Sequence, residues 1–190
     1  DQDIQLSDQE KSVALRSFKT RGAMLDLPEA RLAVQKVAKL LKGDFWIADK
    51  VTEQSFKDNA ETYDILHLAM HGVTDNENPL YSKLIFTQDN DTTQDNYLNA
   101  YELYNMNLNA HLAVLSACNT GYGALKKGEG VMSMARAFAY AGCPSLVMSL
   151  WSVPSQETAN IMVDFHQELK DGTNKDIALR NAKLKYLKNA

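Results

Sequence analysis

Residues 63–72, Tyr63-Asp64-Ile65-Leu66-His67-Leu68-Ala69-Met70-His71-Gly72 (YDILHLAMHG), form an almost unbroken apolar run closed by a histidine and a glycine. Such a run reads as a strand over Tyr63 to Met70 that is buried on both faces, ending at His71-Gly72. Strands of this kind belong to parallel sheets covered by helices on either side, and the rest of the chain supplies helical segments in alternation with further apolar runs. Upstream, Pro28 stands at a first-turn position and Ala30, Ala33, Val34, Val37, Leu40 and Leu41 recur at helical spacing until Gly43 closes the segment. Phe45 to Ala48 then reads as a short strand and Gln54 to Asn59 as a short helix. Residues 1–26 are polar and aperiodic, a loosely structured lead-in with a helical turn around Lys11 to Phe18.

Downstream, Asp75 to Pro79 is a polar loop, Lys83 to Thr87 a short strand, and Gln88 to Asn96 an exposed run of Asp, Asn, Thr and Gln suited to cleavage or movement. Ala100 to Met106 reads as a short helix, His111 to Ser116 as a second buried strand, Glu129 to Ala141 as a helix and Pro144 to Trp151 as a third apolar strand. Ser155 can cap a helix with Ile161, Met162, Phe165 and Leu169 on its inner face, and Thr173 with Asp176 makes a capping-box pattern before a last helix to about Lys188. Strands alternating with helices predict βαβ units with right-handed crossovers, hence a three-layer αβα sandwich around a mostly parallel sheet, formed by one domain over residues 27–190.

With 190 residues, 45% of them apolar, the chain can bury a proper core. A net charge of −4 and 20 scattered Lys and Arg offer no basic face for nucleic acid. The longest clean apolar stretch, Leu112 to Leu115, is far short of the roughly 20 residues of a membrane helix, and no leader pattern opens the chain, so a cytoplasmic location is expected. Two cysteines make no disulfide framework, and reduced thiols are expected. A start at Asp1 rather than methionine points to a piece of a longer protein.

Ligands of parallel α/β sheets bind at the carboxyl ends of strands, and two chemically capable residues fall there: His71 and Cys118. Cys118 sits in Val114 to Gly123 (VLSACNTGYG), where a buried strand gives way to a small-residue turn. A thiol attacks as thiolate, so its ordinary pKa of about 8.5 must fall or a base must take its proton; histidine is the natural base. On position alone Cys118 reads equally well as a packed core thiol. Cys143, between Gly142 and Pro144 at a strand entry, is at the wrong end of the sheet and reads as structural. His67 and His71 would stand roughly 13 Å apart on a strand, too far to share a zinc ion. His67 therefore reads as a buried, hydrogen-bonded structural residue, and His111, at a strand start, and His166, on a helix, are also read as structural. The interval from His71 to Cys118 is 47 residues (118 − 71), close to the roughly 50 that separate histidine and cysteine in caspase-type peptidases.

Taken together, these segments resemble the CHAT domains, caspase-like and separase-like cysteine peptidases of bacteria that often follow TPR repeats. Leu27-Pro28-Glu29-Ala30 is similar to the family's Leu-Pro-Gly-Ala helix start, His67 to Gly72 to its His-Leu-Ala-x-His-Gly strand, and Leu115 to Gly121 to its Leu-Ser-Ala-Cys-x-Thr-Gly turn. Gly128 to Val131, Ala135 to Phe138, Ala141-Gly142 and Ser149 to Trp151 extend the likeness. The resemblance implies a caspase-like fold, His71 as base, Cys118 as nucleophile and an oxyanion hole from the backbone N–H groups of Gly72 and Cys118. It implies no metal or organic cofactor, a protein or peptide substrate, and gating by a TPR or other sensor module, with Gln88 to Asn96 as the place for gating or self-cleavage. Where the family often reads x-Val-Asp-Asp, this chain has Ser152-Val153-Pro154-Ser155, without a carboxylate for a basic P1 side chain. The candidate substrate-pocket residues are Asp75, Trp151, Ser152, Ser155 and Glu157. The family's leading strands and closing aromatic-rich strand are missing, so the sheet is expected to be incomplete or completed by a partner. A silent interaction scaffold is the alternative reading, and a thiol hydrolase or acyltransferase for small molecules ranks behind it.

Overall fold

The computed structural model describes residues 27–75, 77–87, 93–116, 129–149 and 153–189, with side chains from residue 134 in the fourth segment. Helix α1 (Pro28–Leu41) begins with a proline, whose missing N–H is no loss in a first turn, and turns Ala30, Ala33, Val37 and Ala38 inward. Lys42, at φ 57°, makes the left-handed turn that ends it, one residue before the expected Gly43. Helix α2 (Glu53–Asn59) opens with a reciprocal cap: Ser55 N–H donates to Thr52 Oγ1 and Thr52 N–H to Ser55 Oγ. The remaining helices are α3 (Ala100–Leu103), α4 (Glu129–Tyr140), α5 (Ser155–Lys170) and α6 (Lys175–Asn189). Among the described residues no helix is long and apolar enough to cross a membrane.

Strands β1 (Ile65–Ala69), β5 (Leu112–Ser116) and β6 (Leu146–Met148) form a parallel sheet in the order β1-β5-β6. Its two faces are covered differently. Leu66, Leu68, Ala113 and Leu115 meet Met134, Ala137 and Phe138 of α4, whereas Leu112 and Val114 meet Met162 and Phe165 of α5 and Ala178 and Ala182 of α6. Phe138 and Phe165, both fully buried, thus mark the two outer layers, and the three-layer α/β architecture expected from the alternation is the one observed.

A second, antiparallel sheet was not anticipated as such. It joins β2 (Gly72–Val73), β3 (Lys83–Ile85) and β4 (Tyr97–Asn99) in that order. Only β3, at the start of the longer expected run Lys83 to Thr87, had a strand signature in the sequence; β2 and β4, two and three residues long, were not expected as strands. Other expectations shift locally. Phe45 to Ala48 forms no strand: Ala48 takes φ 52° and starts a 3-10 turn, and a cavity of about 410 Å³ separates this segment from the β1 edge. Ser155 is the first helical residue of α5, with Pro154 at the cap position. The Thr173 hydroxyl bonds Glu168 rather than capping α6, whose first bond runs from Ala178 N–H to the Asn174 carbonyl.

The turn from α4 to β6 pivots on Gly142, at φ 105°, where a Cβ would stand 2.5 Å from the Leu108 carbonyl oxygen. A side chain there would meet both an unfavourable backbone region and immovable backbone. Gly142→Ala is expected to lower unfolding free energy by at least about 2 kcal/mol, read as an earlier midpoint in urea; an unchanged midpoint would contradict this account of the turn.

Candidate active site at the carboxyl edge of the sheet

Parallel strands present their carboxyl ends on one edge, and the register of this sheet aligns them closely. Leu68, Leu115 and Met148 lie in one row, and Ala69 lies opposite Ser116. Two positions beyond that last pair, the sequence carries His71 after β1 and Cys118 after β5. Cys118 itself lies outside the described residues, as do Trp151, Ser152, the 1–26 lead-in and 88–92 of the Gln88 to Asn96 loop.

His71 stands where the chain leaves the parallel sheet for the antiparallel one. Its carbonyl accepts from Ile85 N–H at 2.9 Å, so His71 and Ile85 form a hydrogen-bonded position of the ladder. Antiparallel positions alternate, and the next pair, Gly72 with Leu84, is therefore the non-bonded kind, with the Gly72 N–H directed away from β3. His71 is 7% exposed, and neither ring nitrogen has a partner among the described residues. Burial lowers its pKa from 6.5, which keeps the ring neutral near pH 7 with one basic lone pair. His71 lines a cleft of about 90 Å³ whose other walls include Arg31, Trp46, Ile47 and Thr87. Arg31 had drawn no attention in the sequence, because helical periodicity assigns it only to the outer face of α1.

His67, four residues earlier, has a different fate. Its Nε2 lies 2.7 Å from Ser116 Oγ, and its ring stacks on His166 of α5 with centroids 4.9 Å apart and planes 9° from parallel. His166 Nδ1–H donates to the Met162 carbonyl at 2.8 Å. A histidine in hydrogen-bond reach of a serine is the geometry of a base and its nucleophile. Here the chemistry fails on both members. Burial first, then His166, lower the His67 pKa to about 3, and Ser116 is a buried strand residue that substrate does not reach. The structural role expected for His67 and His166 agrees with these contacts. Ser116 and the pairing with His166 were missed, since a serine at a strand end and a histidine on a helix face give no sequence signal of each other.

Of the substrate-pocket candidates, Asp75 Oδ1 accepts from the N–H groups of Glu77 and Asn78 at 3.0 and 2.7 Å, tying the carboxylate to its own turn. Ser155 and Glu157 are half-buried in the first turn of α5, which follows β6 on the carboxyl edge. Cys143 is buried, its Sγ 3.4 Å from the Ser145 carbonyl, and burial raises its pKa, so the thiol stays protonated and inert.

Against this geometry stands one family comparison: residues 4–190 match the model of the CHAT domain. The chain belongs to the CHAT domain family. The CHAT domain is caspase-like and related to peptidases, and the parallel sheet between helical layers is the architecture that membership entails. No curated protein matches the chain.

The histidines give this CHAT domain a testable pH signature. His67, His71 and His166 all have pKa values lowered by burial, so the unfolded chain takes up their protons first as pH falls. Their contribution to stability is complete above the unfolded value of about 6.5 and is lost below it. For His67, titrating near 3 when folded, the loss by pH 5 is about 2 kcal/mol. Unfolding free energy measured in urea should be flat from pH 8 to 7 and fall from 6.5 to 5, and His67→Gln should make that fall shallower; an equal slope in the variant would refute the assignment.

Proposed function

We propose that this CHAT domain is a cysteine endopeptidase in which Cys118 is the nucleophile and His71 its base. The observation that carries the reading is the register: Ala69 pairs with Ser116, and both candidate residues follow two positions further along their chains. The neutral His71 ring, which has no hydrogen-bond partner among the described residues, belongs to a residue lining a cleft and is suited to take the thiol proton. The thiolate adds to the scissile carbonyl carbon, and the oxyanion is held by N–H groups of Gly72 and Cys118; the outward direction of the Gly72 N–H supports that role. The imidazolium returns its proton to the leaving amine, the C–N bond breaks and a thioester forms. Water, losing a proton to His71, then hydrolyses the thioester and releases the carboxyl product and the thiol.

The substrate is a protein or peptide, received by a pocket that Asp75, Trp151, Ser152, Ser155 and Glu157 border. Access is gated by a TPR or other sensor module in a cytoplasmic setting, and no metal or organic cofactor takes part. A second reading, a silent scaffold with a peptidase shell, draws support from the Asp75 carboxylate, which is engaged in its own turn, and from a Ser152 to Ser155 segment without an acid.

A peptide library cleaved by the full chain with its activator decides between them. Cys118→Ala should abolish turnover, and equal cleavage by that variant removes Cys118 from the mechanism. His71→Gln should lower kcat/KM by about 100- to 10,000-fold and leave the melting transition cooperative. A peptidyl electrophile that fails to label Cys118 across all P1 types would establish the scaffold instead.

A further inference from the structure

We propose that His67 is a positioning residue for the site: through its bond to Ser116 it fixes the end of β5 from which the chain continues to Cys118. The inference rests on the reading of Cys118 and His71 as a dyad. It starts from the direction of the bond. His67 pairs in the ladder with Val114, while Ser116 pairs with Ala69, so the 2.7 Å contact runs diagonally across the two strands. A diagonal side-chain bond resists sliding of one strand along the other, and this one sits at the last pair before both candidate residues.

The second argument is what the cluster costs. His67 Nδ1 and His166 Nε2 are buried without partners among the described residues. Leu112 and Val114 of β5, on the same face as His67, show that aliphatic side chains fill this face readily, and an aliphatic residue at position 67 would leave no orphaned Nδ1 there. A polar cluster kept at such a cost serves geometry rather than burial.

The third argument is which elements it joins. His67 lies on the strand leading to His71, and Ser116 on the strand leading to Cys118. His166 lies on α5, whose first turn carries Ser155 and Glu157. The stacked rings and the hydroxyl thus brace the three elements that bear site residues. With the ring neutral down to about pH 3, the brace persists over the pH range in which a thiol and a histidine exchange a proton.

The test uses the full chain and two readouts, alkylation of Cys118 by iodoacetamide as a function of pH, located by mass spectrometry to separate it from buried Cys143, and kcat and KM on a cleaved peptide. His67→Phe keeps the stack and removes the bond, Ser116→Ala removes a single oxygen, and His67→Gln places an amide nitrogen where Nε2 stands. Expected are a fall of about 10- to 100-fold in alkylation at pH 7 for His67→Phe and for Ser116→Ala, a loss in kcat with KM unchanged, no further loss in the double variant, and recovery in His67→Gln. Should His67→Phe not fold, Ser116→Ala and Ser116→Thr carry the same comparison. Folded variants that alkylate with the rate and midpoint of an activated wild type overturn the positioning role and leave the dyad standing. A wild-type Cys118 that titrates as an ordinary thiol overturns the dyad itself.

Discussion

The parallel pairing of β1 with β5 is the constraint on which the other features depend. All five residues of β5 are buried, so each face of the pair has a layer fitted to it. A slip of one residue would turn Leu66 and Leu68 toward α5 and drive His67 toward Phe138, exchanging an apolar contact for a buried unpaired imidazole. The register is therefore held by both layers at once. Because the strands are parallel, a fixed register also fixes which residues emerge together at the carboxyl edge. The chemistry of the edge follows from packing in the middle.

The antiparallel sheet serves that edge from the other side. It takes over the chain at Gly72, one residue after the candidate base, and pins the His71 carbonyl through Ile85. Its far strand, β4, runs into α3 through Asn99, whose N–H donates to Glu102 at 2.8 Å. Glu102 in turn receives Lys57 of α2, which also reaches Glu53 and Gln94. The network is cooperative because Lys57 holds Glu53, Glu102 and Gln94 at once, and these bonds offset the burial of Glu53, which opposes its charge and raises its pKa. Its effect is to anchor β4 and the described end of the Gln88 to Asn96 loop against α2, so that the small sheet, and His71 with it, has a rigid base.

The strong elements of this fold were legible because burial writes them in a simple code. Doubly buried strands are continuous apolar runs, and helices α1, α4 and α5 carry apolar residues at a period of 3.6. Phe45 to Ala48 misled for the same reason: an apolar run states that a segment is sheltered, not that it has a pairing partner, and the positive φ of Ala48 breaks the extended path. The tiny strands β2 and β4 carry no period at all. At the edge, His71 was legible through its glycine neighbour and its interval to Cys118. The partnership of His67, Ser116 and His166 was not, because residues 49 and 50 positions away from one another meet only once strands and α5 are stacked.

His67 within β1 and His71 just past its end show how one stretch of chain can prepare the same side chain for opposite tasks. Both are desolvated and both favour the neutral ring. Within the ladder, a layer of helix covers the strand, and His67 finds Ser116 on one side and His166 on the other; its basic nitrogen is either bonded or sealed from water and can accept no proton near neutrality. Past the last pair, the chain turns into another sheet, and among the described residues no ring is stacked on His71 as His166 is on His67. His71 keeps two ring nitrogens without partners among the described residues, so desolvation leaves its ring unprotonated with a lone pair not engaged by any of them. What separates structural from reactive histidine is thus the end of the ladder rather than the amino acid, and the four-residue interval places one on each side of that end.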